Sequence, residues 1–175
     1  DKWRQYAERR RPPMKWVYAR EARTLLAFER RIAAAFDENV FCTPLEQAIF
    51  RERIPGASSI VLPNGVDLAA YSPAPDEAEP GHIVFVGVMD YYPNIEHFVR
   101  DVLPLVRGRS PEARFTIVGA RPTPAVERLA EEPGVTVTGF VDDPRDWLRR
   151  AAVSVAPLRV ARGIQNKVLE ALAMG

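Results

Sequence analysis

The sequence contains few of the residues on which disulfide and metal chemistry depend. Its 175 residues include one cysteine, Cys42, and two histidines, His82 and His97. A single cysteine excludes an internal disulfide and a multi-cysteine metal site, and two histidines are too few for most zinc sites. We therefore predict neither a disulfide framework nor a bound metal ion.

Long apolar runs are also missing. No uninterrupted apolar run is longer than about six residues, far short of the roughly 20 needed to cross a bilayer. The N-terminal residues do not show a charged start followed by an apolar stretch, which is the pattern of a signal peptide. With 47% apolar residues, 27% charged residues and a net charge of +1, the composition excludes disorder of the whole chain. These features predict a cytoplasmic, globular protein.

Two common phosphate-binding motifs are absent as well. No G-x-G-x-x-G follows a predicted strand, and G-x-x-x-x-G-K-[ST] does not occur. In each motif the glycines let the backbone approach a phosphate closely. Their absence argues against a standard nicotinamide site and against a P-loop.

Positive charge is concentrated near the N-terminus. Residues 1–36 hold ten Lys and Arg against four acids, so this stretch carries +6 and the remainder −5. One interpretation of this stretch is that it binds an anionic partner, such as a phospholipid surface or a nucleic acid. The other is that it forms the solvated face of an amphipathic helix. Apolar residues recur at helical spacing and favour the helix. They are Leu25, Leu26, Phe28, Ile32 and Phe36.

From residue 38 onward, short apolar runs alternate with helical patterns. The first part predicts a strand over 38–42, a helix from the Thr43-Pro44 cap to Arg51, and a strand over 59–62. Residues 67–81, rich in proline and acids, predict a linker. Four strand-helix pairs follow and predict a parallel sheet with helices on both faces. They are strands 82–87, 114–119, 135–139 and 153–156, and helices 93–107, 124–131, 144–151 and 164–174.

The first three of these four strands end on glycine, at Gly87, Gly119 and Gly139. Ligands of open parallel sheets bind just outside the carboxyl ends of the strands, where glycine permits close approach. Glycine also ends strands simply because turns require it. The pattern is therefore compatible with a binding cleft or with ordinary turns.

The last helical segment carries the strongest chemical pattern. Gly163 opens the helix after a loop with two arginines, so unpaired amides and the positive end of the helix dipole predict an anion site. Lys167 and Glu170 are three residues apart and share a helix face. A cation that meets a phosphate then lies one turn before a carboxylate that accepts from ribose hydroxyls. A solvated Lys-Glu surface pair fits the same spacing.

Five further blocks of the sequence are informative. They are Val61-Leu62-Pro63-Asn64-Gly65-Val66-Asp67, Val86-Gly87, Ile117-Val118-Gly119, Val137-Thr138-Gly139-Phe140-Val141 and the run from Gly163 to Gly175. In this order the blocks resemble the retaining glycosyltransferases of family 4, also called group 1. The resemblance spans roughly residues 38–175, and Tyr92-Pro93-Asn94 with Lys167-Val168-Leu169-Glu170 resembles bacterial sugar transferases of exopolysaccharide assembly.

The resemblance implies a GT-B architecture, in which two Rossmann-like domains face each other across a cleft. Residues 1–62 are then the end of the acceptor domain, 63–81 the linker, and 82–175 an incomplete donor domain. The expected reaction moves a sugar from a UDP- or GDP-sugar to a polysaccharide or lipid-linked acceptor, without a metal or a cofactor. We expect the fragment alone to be inactive, and we expect no nucleic-acid partner. The basic N-terminal part is expected to allow peripheral contact with the inner face of the membrane.

Family roles transfer unevenly to this chain. Glu170 matches the second acid of the family's motif, which holds the ribose, whereas the first acid, eight residues earlier, is replaced by Arg162. Phe140 and Val141 match the position where the base is stacked, although a packed core aromatic is the alternative for Phe140. Asp90 is a cleft-edge carboxylate or a helix cap, and no general base is assigned. The phosphate role is expected at Arg159, Arg162, Gly163, Ile164 and Lys167.

Three alternatives remain at this point. A non-catalytic nucleotide-binding or sensory domain of flavodoxin type predicts acids at the strand ends, where only Asp90, Asp142 and Asp143 qualify. A nucleic-acid binder acting through residues 1–36 predicts binding that weakens steeply with salt. A GT-B phosphorylase or epimerase shares the architecture but is not expected to show this order of blocks.

Overall fold

The chain forms two compact units, residues 1–63 and residues 64–175. A computed structural model describes residues 3, 7, 8, 10–89, 94–157 and 164–175. Among these residues, no helix is both long and apolar enough to cross a membrane.

The described part of the first unit contains helices and a pair of parallel strands. Its elements include α1 (Met14–Ala35), β1 (Asn39–Phe41), α2 (Pro44–Arg53) and β2 (Ser59–Val61). Strands β1 and β2 pair in register from Asn39 with Ser59 to Phe41 with Val61. Helix α2 starts where the Thr43-Pro44 pair predicts, because Oγ1 of Thr43 accepts a hydrogen bond from the Glu46 amide at 3.2 Å.

The second unit is a four-stranded parallel sheet with helical connections. Its strand order is β5-β4-β3-β6. Counted within the unit, this is third, second, first, fourth, which is the order of the doubly wound nucleotide-binding folds. The strands are β3 (Glu79–Val86), β4 (Arg114–Val118), β5 (Val135–Gly139) and β6 (Ala151–Ser154). The α-helices are α3 (Asn94–His97), α4 (Leu103–Arg107), α5 (Pro124–Glu127), α6 (Arg145–Arg149) and α7 (Asn166–Met174).

The hydrophobic core lies around β3 and β4. Val84 and Ile117 are fully buried, and the rings of Phe98 and Phe115 pack with centroids 4.6 Å apart. Continuous apolar runs of this kind are typical of parallel strands covered by helices. The predicted α/β fold with a parallel sheet is confirmed.

Several element boundaries differ from the predictions. β3 begins at Glu79, inside the predicted linker, because Glu79 pairs with Ala151 and its carboxylate bonds to Arg114 and Arg150. The register shift between Glu79 and Ile83 accommodates the proline that follows Glu79. Two predicted helices are interrupted: a π-helical turn (Phe98–Val102) separates α3 from α4, and a 3₁₀ turn (Arg128–Glu131) follows α5.

The last strand and the last helix are also displaced. β6 spans Ala151–Ser154 rather than 153–156, because its Val153 and Ser154 pair with Ile83 and Val84 of β3. Helix α7 begins at Asn166 rather than Ile164. α6 ends at Arg149, two residues before its predicted end.

Candidate functional site

Backbone contacts bring the glycines at the strand ends together. The amide of Gly87 donates to the Val118 carbonyl at 2.9 Å, and the amide of Gly119 donates to the Gly139 carbonyl at 3.2 Å. Gly119 has a φ of +148°, and a Cβ there would lie 1.8 Å from the Gly87 carbonyl oxygen. A side chain at this position would therefore overlap the neighbouring backbone, so the close approach of the two loops requires glycine.

Lys167 lies at the end of β3. Its Nζ is 4.6 Å from the centroid of the Phe85 ring, within the range of a cation–π interaction. A Cβ at Gly87 would lie 2.7 Å from this Nζ, so the missing side chain leaves room for the ammonium group. Burial lowers the pKa of Lys167 below its ordinary value, and the Glu170 carboxylate opposes that shift.

Helix α7 begins two residues later than the predicted helix. Gln165 has an extended backbone with φ −89° and ψ 110°, so helical geometry starts at Asn166. Ile164 precedes the helix. The prediction that its amide belongs to the first turn of the helix is therefore wrong. The amides of Asn166 and Lys167 occupy that position instead, because the first residues of a helix have no preceding carbonyl to bond.

Glu170 lies one turn after Lys167 and near an aromatic residue from the predicted linker, Tyr71. Burial raises the pKa of Tyr71, the negative charge of Glu170 raises it further, and Arg145 opposes both effects. The guanidinium of Arg145 is 6.0 Å from the centroid of the Tyr71 ring. A residue of the predicted linker, the first residue of α6 and the predicted ribose ligand thus form one cluster.

Arg145, the first residue of α6, is itself held by an acid of the preceding loop. Its Nε and Nη2 donate to Oδ1 and Oδ2 of Asp143 at 2.8 and 2.7 Å. Hydrogen bonds from the Arg145 side chain, then from its backbone, lower the pKa of Asp143 to about 2. Asp143 is therefore engaged in positioning Arg145. Sequence reasoning missed Tyr71 and Arg145, and the only local signal was the Asp-Pro turn after β5.

Phe140 is 75% exposed and follows Gly139, whose φ is +71°. The alternative of a packed core aromatic is therefore wrong, and the ring is accessible for stacking. Val141 beside it is only partly exposed. Both residues follow the carboxyl end of β5, on the loop that also carries Asp143 and leads to Arg145.

A groove of about 280 Å³ runs between β6 and α7. Its lining includes Val86 from β3, Ser154 and Val155 from the β6 side, and Lys167 and Val168 from α7. The predicted cation thus lines a concave surface next to the end of β3. Four of the predicted site residues, Asp90, Arg159, Arg162 and Gly163, lie outside the described residues.

Comparison with protein families gives one match over more than half of the chain. The profile of the family described as glycosyl transferases group 1 matches residues 80–175. This range covers the four-stranded sheet and α7. A search of curated proteins finds no match.

Solved structures with the same fold have low sequence identity to this chain. The pneumococcal O-GlcNAc transferase GtfA, in complex with UDP and GlcNAc, is 14% identical with a TM-score of 0.67 over 83% of this chain and 30% of its own. HepE from Anabaena, in complex with UDP and glucose, is 16% identical with a TM-score of 0.54 over 75% of this chain and 40% of its own. Sucrose-phosphate synthase from Thermosynechococcus elongatus is 21% identical with a TM-score of 0.58 over 75% of this chain and 37% of its own. The chain therefore spans less than half the length of these proteins.

Proposed function

Because this chain belongs to the glycosyl transferases of group 1, we propose that its second unit binds a nucleoside-diphosphate sugar and that the full-length protein transfers the sugar to an acceptor. The observation that carries the proposal is the position of Lys167, whose Nζ lies at the end of β3 against Phe85 and beside Gly87. Two of the similar structures hold UDP together with a sugar. We therefore take UDP as the first candidate nucleotide and GDP as the second.

The strand order supports this location. In doubly wound sheets, ligands bind outside the carboxyl ends of the strands where the strand order reverses. Here the reversal falls between β3 and β6, the first and fourth strands of the unit. Helix α7 follows β6 and carries Lys167 into that crevice, where its first-turn amides supplement the cation.

The diphosphate is the part of the donor that these groups suit best. As the sugar leaves, negative charge develops on the β-phosphate, and a fixed cation with preformed amide donors stabilises it. Partial burial of Lys167 strengthens this interaction, since charges attract more strongly away from water. We propose that this stabilisation replaces a metal ion and that the sugar keeps its anomeric configuration.

Glu170 and Phe140 account for the nucleoside. The Glu170 carboxylate accepts hydrogen bonds from the ribose hydroxyls, and the exposed Phe140 ring stacks on the base beside main-chain groups of Val141. Arg159, Arg162 and the amide of Gly163 remain proposed phosphate ligands. Gly87 and Gly119 form the floor that lets the donor approach the backbone. Asp90 remains a proposed residue of the cleft edge.

The acceptor is proposed to be a growing polysaccharide or a lipid-linked sugar of bacterial assembly, reached in the cytoplasm. Helix α1 belongs to the basic N-terminal stretch and exposes Trp16 and Phe28, with the Arg31 guanidinium 5.3 Å from the Phe28 ring centroid. We propose that this stretch touches the inner face of the membrane. Co-sedimentation with vesicles tests this membrane contact. Binding that requires anionic lipid and weakens with salt supports the contact. Equal recovery of the protein with neutral and with anionic vesicles contradicts it.

A transfer assay tests the proposed reaction. The full-length protein is incubated with UDP- and GDP-sugars and a lipid-linked acceptor, with and without EDTA, and the anomeric configuration of the product is read by NMR. The proposal expects release of one nucleoside diphosphate, unchanged in rate by EDTA, and a product that retains configuration. An inverted product contradicts the retaining mechanism, and loss of activity in EDTA contradicts metal independence.

A further inference from the structure

The helix that carries the proposed donor ligands is not capped by its own N-cap residue. The side chain of Gln165, which holds that position in α7, makes no capping hydrogen bond to the helix. By contrast, Thr43 caps α2 and Thr123 caps α5 through their side-chain oxygens. The first turn of α7 therefore lacks the side-chain cap that the first turns of α2 and α5 have.

A residue 102 positions earlier supplies a contact to that turn. Nδ2 of Asn64 donates to Oδ1 of Asn166 at 2.7 Å. Asn166 is the first residue of α7 and directly precedes Lys167. Asn64 is also the first residue of the second unit, so the bond ties the entry of the chain into this unit to the start of the helix.

The segment behind Asn64 is itself held in place. Oδ1 of Asp67 accepts from the amides of Ala69 and Ala70, at 2.9 and 3.2 Å, and the Tyr71 amide donates to the Asp67 carbonyl at 2.9 Å. Nη1 of Arg145 then donates to the Ala70 carbonyl at 3.3 Å. The segment that follows Asn64 is therefore held by its own turn and by Arg145, the first residue of α6.

We propose that Asn64 is a positioning residue for Lys167. By holding Asn166, it fixes the first turn of α7, and with it the Lys167 amide and the direction of the lysine side chain. The benefit to donor binding rests on the proposed function, whereas the restraint on the helix does not. A small displacement of a charged ligand is costly, because the interaction with a phosphate depends on geometry as well as charge.

A double-mutant cycle tests the pair directly. Asn64→Ala, Asn166→Ala and the double variant are compared with the unmodified chain in two measurements. One is hydrogen exchange of the Val168 and Leu169 amides, which both donate to the Gln165 carbonyl, and the other is titration with UDP. Asn39→Ala is the matched control, because Nδ2 of Asn39 makes a similar bond, 2.9 Å to the Ser58 carbonyl, in the first unit. Asn166→Ala raises intrinsic helix propensity, so a looser first turn in that variant does not arise from propensity.

The expected size of the change in exchange rate and in UDP affinity follows from the net free energy of one hydrogen bond. Each single variant should speed exchange of the two amides by roughly two- to ten-fold and weaken UDP binding by a similar factor. The double variant should add nothing further, because both substitutions remove the same bond. Asn39→Ala should leave both measurements unchanged.

The outcomes separate this inference from the proposed function. Unchanged exchange in Asn64→Ala, or effects of the two single variants that simply add, overturns the positioning role. Faster exchange in Asn64→Ala together with UDP that binds no form of the chain supports the restraint on α7 and contradicts the proposed donor site.

Discussion

The ammonium group of Lys167 lies 4.6 Å from the centre of the ring of Phe85, which is in β3, two residues before Gly87. Phe85 is 4% exposed and belongs to the core of the sheet. The ring thus anchors a half-buried cation to a rigid strand. This relationship holds a positive charge at the edge of the sheet where doubly wound folds bind their ligands.

Replacing this cation tests its proposed role in catalysis. Lys167→Ala in the full-length protein should lower the rate of sugar transfer by roughly 10²-fold to 10³-fold, the usual loss for one group that stabilises developing charge. The fold should persist, because a small apolar side chain replaces a partly exposed one. Steady-state transfer rates and thermal unfolding measure the two effects. As a control, Arg128→Ala removes an exposed cation elsewhere in the unit and should change neither the transfer rate nor the unfolding temperature. Near-normal turnover of the Lys167→Ala enzyme contradicts the proposed role of Lys167.

Phe140 should affect nucleotide binding without affecting stability. Its ring is 75% exposed, so Phe140→Ala removes little buried surface from the folded state. Loss of stacking on a base should cost about 1–3 kcal/mol of UDP binding free energy. Calorimetric titration measures the affinity. Leu105→Ala is a matched control, since Leu105 is 74% exposed on α4. Equal UDP affinity for the Phe140 and Leu105 variants is evidence against base stacking.

Gly119 should tolerate no side chain. Gly119→Ala would place a Cβ 1.8 Å from the Gly87 carbonyl oxygen at a φ of +148°. We expect a loss of at least about 2 kcal/mol in the free energy of unfolding, together with weaker UDP binding. Gly108→Ala serves as the control, because Gly108 has helical angles, φ −61° and ψ −21°, that alanine adopts readily. Denaturant unfolding that shows the two variants equally stable would mean that the loops do not approach as described.

His82 should make the second unit less stable below neutral pH. It is 1% exposed, with Nε2 2.9 Å from Oγ1 of Thr116 and Nδ1 3.1 Å from the Arg150 carbonyl. Burial lowers the pKa of His82, and the hydrogen bond to the Arg150 carbonyl and the carboxylate of Glu79 at 3.6 Å oppose that shift. The positive charges of Arg114 and Arg150 lower the pKa further, and the net shift is downward.

The sign of the pH effect follows from this lowered pKa. The unfolded chain takes up the His82 proton near pH 6.5, before the folded chain does. Stability from neutral His82 is therefore present above about pH 6.5 and lost as the pH falls below it. Unfolding midpoints between pH 7.5 and 5 should fall, and His82→Gln should flatten that slope. An equally steep slope in the variant shows that another group controls it.

The sheet was predictable from local patterns. Val84, Phe85 and Ile117 belong to short apolar runs that end on glycine, and such runs between helical patterns favour parallel strands. The pairing of Lys167 with Glu170 followed from a spacing of three on one helix face. Both features depend on neighbouring residues, which a sequence shows directly.

The remaining parts of the site depend on contacts between distant residues. Asn64 contacts Asn166, and Tyr71 lies beside Arg145, because the proline-rich segment packs against later parts of the same unit. The start of α7 at Asn166 depends on the extended backbone of Gln165, which no local residue type dictates. The sequence is compatible with Phe140 stacking on the base and with Phe140 packing in the core. The exposure of its side chain in the folded chain decides against the core.

The most direct test of the central claim is an NMR titration of this chain with UDP and GDP, with NAD as a comparison ligand, at two salt concentrations. The account predicts saturable binding of one nucleoside diphosphate with a Kd of roughly 10 µM to 1 mM. The amide signals of Gly87, Lys167 and Glu170 should shift together as the site fills. If neither diphosphate gives saturable binding, or if the shifts fall outside the carboxyl edge of the sheet, the second unit does not hold its donor where we propose.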